Sequence, residues 1–234
     1  MAASALPAEN KRPWLKVCGL RQVDQAAHIA AAGADAIGVI AVPGSPRWLA
    51  PGDRPALFSA VAQSAPGCLG VLVVADPQDV DLPHLSPLSG HQVLQLHGSE
   101  TPERCAELRR ALGPELGLWK ALRIRSPEDL EQASLYAEVV DALLLDAWVP
   151  DQLGGTGHRI PVEWLTAFRP SLPWWLAGGL NPERVAPALM ALADAPPAGL
   201  DVSSGVETAP GVKDLQRVAQ LLAAVAPFRQ DHCI

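Results

Sequence analysis

Short apolar runs of β-type residues alternate along the chain with Ala- and Leu-rich amphipathic stretches, the pattern of repeated βα units around a parallel sheet. Eight runs predict strands, near Trp14 to Cys18, Asp35 to Ala41, Cys68 to Val74, Gln92 to Leu96, Gly117 to Leu122, Ala142 to Asp146, Trp174 to Ala177 and Gly199 to Val202. Helices are predicted near Val23 to Ala32, Arg54 to Gln63, Pro102 to Leu112, Pro127 to Ser134, Val162 to Phe168, Pro182 to Leu192 and Val212 to Ala226. The stretch from Asp76 to Gly90 carries Pro77, Pro83 and Pro87, so the third helix is expected to be short or broken. Thr101-Pro102, Ser126-Pro127 and Asn181-Pro182 each set a capping side chain before a proline suited to a first helical turn. Eight such units in 234 residues fit an α/β fold of the (β/α)8 TIM-barrel type, a single domain over residues 13–230 behind a flexible leader of residues 1–12. An open doubly wound sheet usually has fewer strands and one Gly-rich nucleotide loop, and neither GxGxxG nor GxxxxGK[ST] occurs.

Composition narrows the range of partners. A formal charge of -7 argues against nucleic acid or an anionic membrane surface, which demand clustered Lys and Arg. A small phosphorylated ligand remains compatible, because backbone N–H groups hold phosphate without a basic patch. The four cysteines, Cys18, Cys68, Cys105 and Cys233, lack the paired spacings of zinc sites or disulfide scaffolds, so a reduced, cytoplasmic protein without a metal site is expected. No run approaches the ~20 apolar residues needed to span a bilayer. Nothing separates monomer from homodimer.

Chemistry is expected where parallel strands end. Cys18 closes the first strand and Asp146 the sixth, which makes them a candidate base and acid pair that only the folded barrel brings together. The loops after the last strands suit a phosphate: Gly178-Gly179 and Ser204-Gly205 lack bulky side chains and let backbone amides converge, with Gly155 assisting from the sixth loop. Asp201, ending the eighth strand, is read either as a partner for a sugar hydroxyl or as support for Cys18.

Eight segments carry a resemblance to a known family. They are KVCGL (Lys16 to Leu20), SPR (Ser45 to Arg47), QLHG (Gln95 to Gly98), LLLD (Leu143 to Asp146), GGTG (Gly154 to Gly157), LAGGLNP (Leu176 to Pro182), DVSSGVE (Asp201 to Glu207) and PGVKD (Pro210 to Asp214). In this order they resemble the phosphoribosylanthranilate isomerases of tryptophan biosynthesis. The resemblance implies a cofactor-free Amadori rearrangement of N-(5'-phosphoribosyl)anthranilate, an aminoaldose, to the 1-deoxyribulose 5-phosphate aminoketose. By the same resemblance Asp146 is the acid that opens the furanose ring, Cys18 the base that removes the C2' proton, and Arg47 the clamp on the anthranilate carboxylate, a task suited to its bidentate fork.

Each role demands a shifted pKa, raised for the Asp by burial and lowered for the Cys by positive potential. Arg21 stands where the family commonly has Thr or Asn, and is read either as a cation favouring the Cys18 thiolate or as a solvent-facing side chain. Val39 and Ala41 occupy positions where the family often has an aromatic, and Trp48 is a candidate replacement wall for the anthranilate ring. His97 is read as an orienting residue rather than the base. The related histidine-pathway isomerases would want an aspartate at Cys18, and a phosphate-binding module without catalysis would not need both Cys18 and Asp146.

Overall fold

The computed structural model describes residues 12–147 and 159–229. Eight parallel strands close on themselves in sequence order: β1 (Trp14–Cys18), β2 (Ala36–Ile40), β3 (Leu69–Val74), β4 (Val93–Leu96), β5 (Gly117–Ile124), β6 (Ala142–Ala147), β7 (Trp174–Leu176) and β8 (Gly199–Val202). The seam is shut by β1 against β8, with Lys16 opposite Asp201. Every strand lies within a few residues of its expected position, because a run buried on both faces reads as continuous apolar sequence bounded by polar turns.

Helices α1 (Val23–Ala31), α2 (Arg54–Ser64), α4 (Pro102–Leu112) and α6 (Leu215–Val225) match the amphipathic stretches. Thr101 caps α4 by accepting a hydrogen bond from the Arg104 amide, and Asp214 caps α6 by accepting from the amides of Gln216 and Arg217. As the prolines require, α3 (Leu82–Leu85) is a single turn between 3-10 turns.

Four helix predictions need correction. Val162 to Phe168 forms only a 3-10 turn at Val162–Trp164; Pro161 precedes it and Pro170 biases Arg169 away from the helical region, leaving no length for an i to i−4 ladder. The segment after Ser126 is also 3-10, Pro127–Tyr136, begun by a capping box between Ser126 and Asp129. The helix expected from Pro182 starts three residues later as α5 (Val185–Ala191), after a turn in which the Arg184 amide donates to the Asn181 carbonyl. Finally, Val212 opens no helix: Val212–Lys213 is strand β10, paired antiparallel with β9 (Glu207–Ala209).

Most of the core lies between strands and helices, and a second cluster fills the barrel. There Trp119 and Trp175 meet at 4.7 Å between ring centroids, both fully buried, with Ala36, Val93 and Ala142 around them. On β8, Gly199 pairs with Trp175 and Asp201 with Lys16, so the tryptophans lie one interior layer below the first polar side chains. Packing hydrophobic bulk beneath polar groups seats those groups at the C-terminal mouth of the barrel.

Candidate active site

A cavity of about 670 Å³ opens at that mouth. Of the expected site residues, Cys18, Arg47, Asp146, Gly178, Gly179, Asp201 and Ser204 all line it, together with His97 and Gln95. Gly155 lies outside the described residues. Gly205 is not part of the wall: a β-carbon there would lie 1.9 Å from the Leu180 carbonyl oxygen, so its hydrogen side chain lets the loop after β8 pack directly on the loop after β7. Among the described residues, the amides of Gly178, Gly179, Ser204 and Gly205 donate to no other group, which leaves them available to an anion.

Side-chain period 2 selects the interior groups. Lys16 and Cys18 face inward from β1, as do Gln95 and His97 at the end of β4. Room for Cys18 comes from β2, where a β-carbon on Gly38 would sit 2.6 Å from the Cys18 sulfur. Lys16 Nζ donates to Gln95 Oε1 and to Asp201 Oδ1, each at 2.9 Å. Gln95 Nε2 lies 3.0 Å from His97 Nδ1, and His97 Nε2 lies 3.3 Å from Asp146 Oδ2. The last approach is out of line for a hydrogen bond, so His97 Nε2 is buried without a partner. Asp146 Oδ1 accepts from the Ala147 amide at 2.9 Å.

The thiol departs from expectation. Burial pushes the Cys18 pKa above its ordinary value; Lys16 and Lys213 pull it back, Asp201 adds to the rise, and burial prevails. Cys18 is therefore held mainly as the thiol at neutral pH in the unliganded protein, where a lowered pKa was expected. Arg21 plays no part in this. Its side chain lies against Gly211 and its guanidinium donates to the Pro46 carbonyl at 3.4 Å, on the exposed side of the loops. Besides its direct effect on Cys18, Asp201 stabilises the charge of Lys16: against burial, it and Cys18 together raise the Lys16 pKa.

Arg47 is almost fully buried and is held by Glu207, which accepts from Nε at 3.0 and 3.1 Å and from Nη2 at 2.7 Å. Lys213 binds the same carboxylate at 2.7 Å and also donates to the carbonyl of Cys18 at 2.5 Å. Burial alone would raise the Glu207 pKa, yet the Arg47 hydrogen bonds and the Lys213 charge hold it below the ordinary value. Nη1 of Arg47 has no partner among the described residues, which leaves one edge of the guanidinium for a ligand.

The wall expected at Val39 and Ala41 is displaced by one residue of register. Val39 and Ala41 pack toward the helices, whereas Ile40 and Val42 line the cavity. Trp48 bridges to Ile40 but is 39% exposed and does not contribute to the wall.

Sequence reasoning gave no role to Lys16, Gln95, Glu207 or Lys213, although each stands in a quoted motif. A lysine two residues before Cys18 in an apolar strand was a signal of an inward-facing charge. Glu207 and Lys213 meet only through the β9–β10 hairpin, which the sequence did not announce. Among the described residues, no group of three or more His, Cys, Asp or Glu is placed to hold a metal, and no helix is long and apolar enough to cross a membrane.

Comparison with known proteins points the same way. The profile of the N-(5'phosphoribosyl)anthranilate (PRA) isomerase family matches residues 15–224. The N-(5'-phosphoribosyl)anthranilate isomerase of Microcystis aeruginosa is 44% identical over 92% of this chain and 98% of its own. The crystal structure of phosphoribosyl anthranilate isomerase from Thermus thermophilus superimposes with a TM-score of 0.78 at 33% identity, covering 92% of this chain and 100% of its own. A further isomerase structure, solved with reduced 1-(o-carboxyphenylamino)-1-deoxyribulose 5-phosphate, has a TM-score of 0.74 at 26% identity and covers 92% of this chain and 99% of its own. A match of this extent, joined to a closed barrel whose mouth gathers the motif residues, makes the chain a member of the N-(5'-phosphoribosyl)anthranilate isomerase family.

Proposed function

We propose that the protein isomerises N-(5'-phosphoribosyl)anthranilate to 1-(2-carboxyphenylamino)-1-deoxyribulose 5-phosphate, with Asp146 as general acid and Cys18 as general base. The observation that carries this reading is that Cys18 and Asp146 line one cavity together with the buried Arg47 and with Gly178, Gly179 and Ser204, whose amides are unpaired among the described residues. A free guanidinium edge and unpaired backbone amides match the carboxylate and the phosphate of that substrate.

Asp146 delivers its proton to the furanose ring oxygen, which leaves C1' as a hydroxyl while the anthranilate nitrogen forms the protonated Schiff base. Cys18, as thiolate, takes the proton from C2', and the electron pair neutralises the iminium to give the enolamine. Tautomerisation places a proton on C1' and a carbonyl at C2'. C1' is reduced as C2' is oxidised, so the reaction is balanced internally and calls for no redox cofactor; proton exchange returns Cys18 and Asp146 to their starting forms. Because burial raises the Cys18 pKa, only a minority of the protein carries the thiolate base at neutral pH. The thiolate that does form is the more basic for its raised pKa.

Arg47 takes the carboxylate end and the glycine loops the phosphate end, with Glu207 and Lys213 fixing the guanidinium plane. Three thiols, Cys18, Cys68 and Cys105, are free and buried, in keeping with a cytoplasmic setting. Loss of substrate fluorescence tests the assignment. Cys18→Ala and Asp146→Asn are each expected to lower kcat by ~10² to 10⁴-fold with smaller changes in KM. Near-normal turnover by folded Cys18→Ala would remove the thiol from the mechanism.

A further inference from the structure

Four side chains from three strands form a continuous line across the barrel: Asp201 of β8, Lys16 of β1, and Gln95 and His97 at the end of β4, the last 3.3 Å from Asp146. Lys16, Gln95, His97 and Asp146 are all more than nine-tenths buried. Such a line has a direction. An ammonium offers only donors, so the atom of Gln95 facing Lys16 must be the amide oxygen. The amide nitrogen is then the atom that meets His97, and being a donor it requires an unprotonated Nδ1. A neutral imidazole carries one proton, which must sit on Nε2, the buried nitrogen that has no partner in the unliganded protein.

We infer that Lys16 and Gln95 are positioning residues that fix His97 as its Nε2–H tautomer, and that His97 acts as a hydrogen-bond donor to Asp146. The inference rests on Asp146 being the general acid. With Nδ1 occupied and Nε2 already protonated, neutral His97 has no lone pair free to accept a proton, so it cannot serve as the base. Its value lies after proton delivery: Asp146 becomes a carboxylate inside a buried cavity, with Oδ1 held by the Ala147 amide and Oδ2 beside Nε2–H. The 3.3 Å approach tightens when the negative charge appears, as catalytic hydrogen bonds commonly do in the complex. The charged and titratable groups that line the cavity with this imidazole are Cys18, Arg47, Asp146 and Asp201, and Lys16 reaches it through Gln95. Lys16 thus touches both ends of the chemistry, the thiol through its charge and the acid through the Gln95–His97 pair.

The tautomer is open to direct observation by ¹⁵N NMR of imidazole-labelled protein at neutral pH, which needs no turnover. The His97 resonances, assigned by their loss in His97→Gln, are expected to show a protonated Nε2 and an unprotonated Nδ1. Gln95→Glu replaces the donor by an acceptor, so the proton is expected to move onto Nδ1, with kcat falling about tenfold to a hundredfold and KM changing less. His97→Gln sets an amide N–H near the Nε2 position and is expected to keep kcat within about tenfold of wild type, whereas His97→Leu loses about a hundredfold or more. A wild-type proton on Nδ1, or on both nitrogens, overturns the inference; so does a His97→Gln enzyme as impaired as His97→Leu. If Asp146→Asn proved catalytically silent while the tautomer stood as described, the acid assignment would fail and the Lys16–Gln95–His97 device would survive without its catalytic role.

Discussion

Replacing Gly205 by alanine puts a number on how closely the two phosphate-side loops depend on each other. The new β-carbon would stand 1.9 Å from the Leu180 carbonyl oxygen and 3.0 Å from the Asn181 β-carbon. A carbon and a carbonyl oxygen approach no nearer than about 3.3 Å, so the loops must part by roughly 1.4 Å. An N–H donor to phosphate works at about 2.7 to 2.9 Å, and amides displaced that far no longer reach one anion together. Each hydrogen bond to a charged group contributes about 1.5 to 3 kcal/mol, so losing one weakens phosphate binding by roughly 10- to 150-fold. The assay is competitive inhibition by inorganic phosphate, read against the isomerase reaction, with thermal unfolding to verify that the barrel is intact. Gly52→Ala is the control, since a β-carbon there meets nothing within 4 Å. A folded Gly205→Ala protein with unchanged phosphate inhibition would refute the reasoning, because either the loops do not hold phosphate or their contact does not set their spacing.

Other outcomes follow from the buried charges. Glu207→Gln removes the counter-charge shared by Arg47 and Lys213; KM for substrate is expected to rise about tenfold or more while phosphate inhibition stays near normal, and a selective loss of phosphate inhibition would reverse the proposed orientation. Arg47→Lys should recover only part of what Arg47→Ala loses, measured as anthranilate inhibition, because an ammonium lacks the planar fork. Burial lowers the His91 pKa to about 4, with Arg54 adding to the drop and a bond to the Leu85 carbonyl opposing it. The unfolded chain therefore takes up this proton near pH 6.5 and the folded one only near 4, so stability falls as pH drops through that window, by about 3 kcal/mol at most. Urea unfolding at pH 7 and pH 4.5 should show a smaller loss in His91→Leu than in wild type; an equal loss would remove His91 from the account. Alkylation of Cys18 should be slow at neutral pH and accelerate as pH rises through and above its ordinary pKa, followed by mass spectrometry.

The strands were legible because each is a short apolar run between polar turns, and the positions of Cys18 and Asp146 at strand ends followed directly. What an unbroken apolar run conceals is parity. In Ala36–Ile40 nothing marks which residues face the barrel, and the wall was assigned to Val39 and Ala41 when register gives it to Ile40 and Val42. The helix after β6 failed for a different reason: composition there is helical, but Pro161 and Pro170 bracket a stretch too short to sustain it, while after β7 a turn at Asn181 delays α5 to Val185. Buried networks were the least visible. Glu207 reaches Arg47 across 160 positions and Lys213 reaches Cys18 across 195, pairings that depend on closure rather than on any local spacing. The thiol pKa was misjudged because two nearby cations matter less than complete burial.

The seam between β1 and β8 gives this arrangement a kinetic meaning. Lys16 meets Asp201 across 185 positions, Lys213 meets Cys18 across 195, and Arg229 donates to the carbonyls of Pro13 and Gly33. These are among the longest-range contacts of the described residues, and contacts of large sequence separation bear the greatest loop-closure entropy. A chain emerging from the ribosome holds the base in its first strand long before the residues that surround that base exist. Six or seven βα units can assemble while the thiol of Cys18 still lacks Asp201, Ser203 and Lys213 around it. Catalysis therefore requires the β1–β8 closure, and the return of activity after dilution from denaturant is expected to report the closing of the barrel.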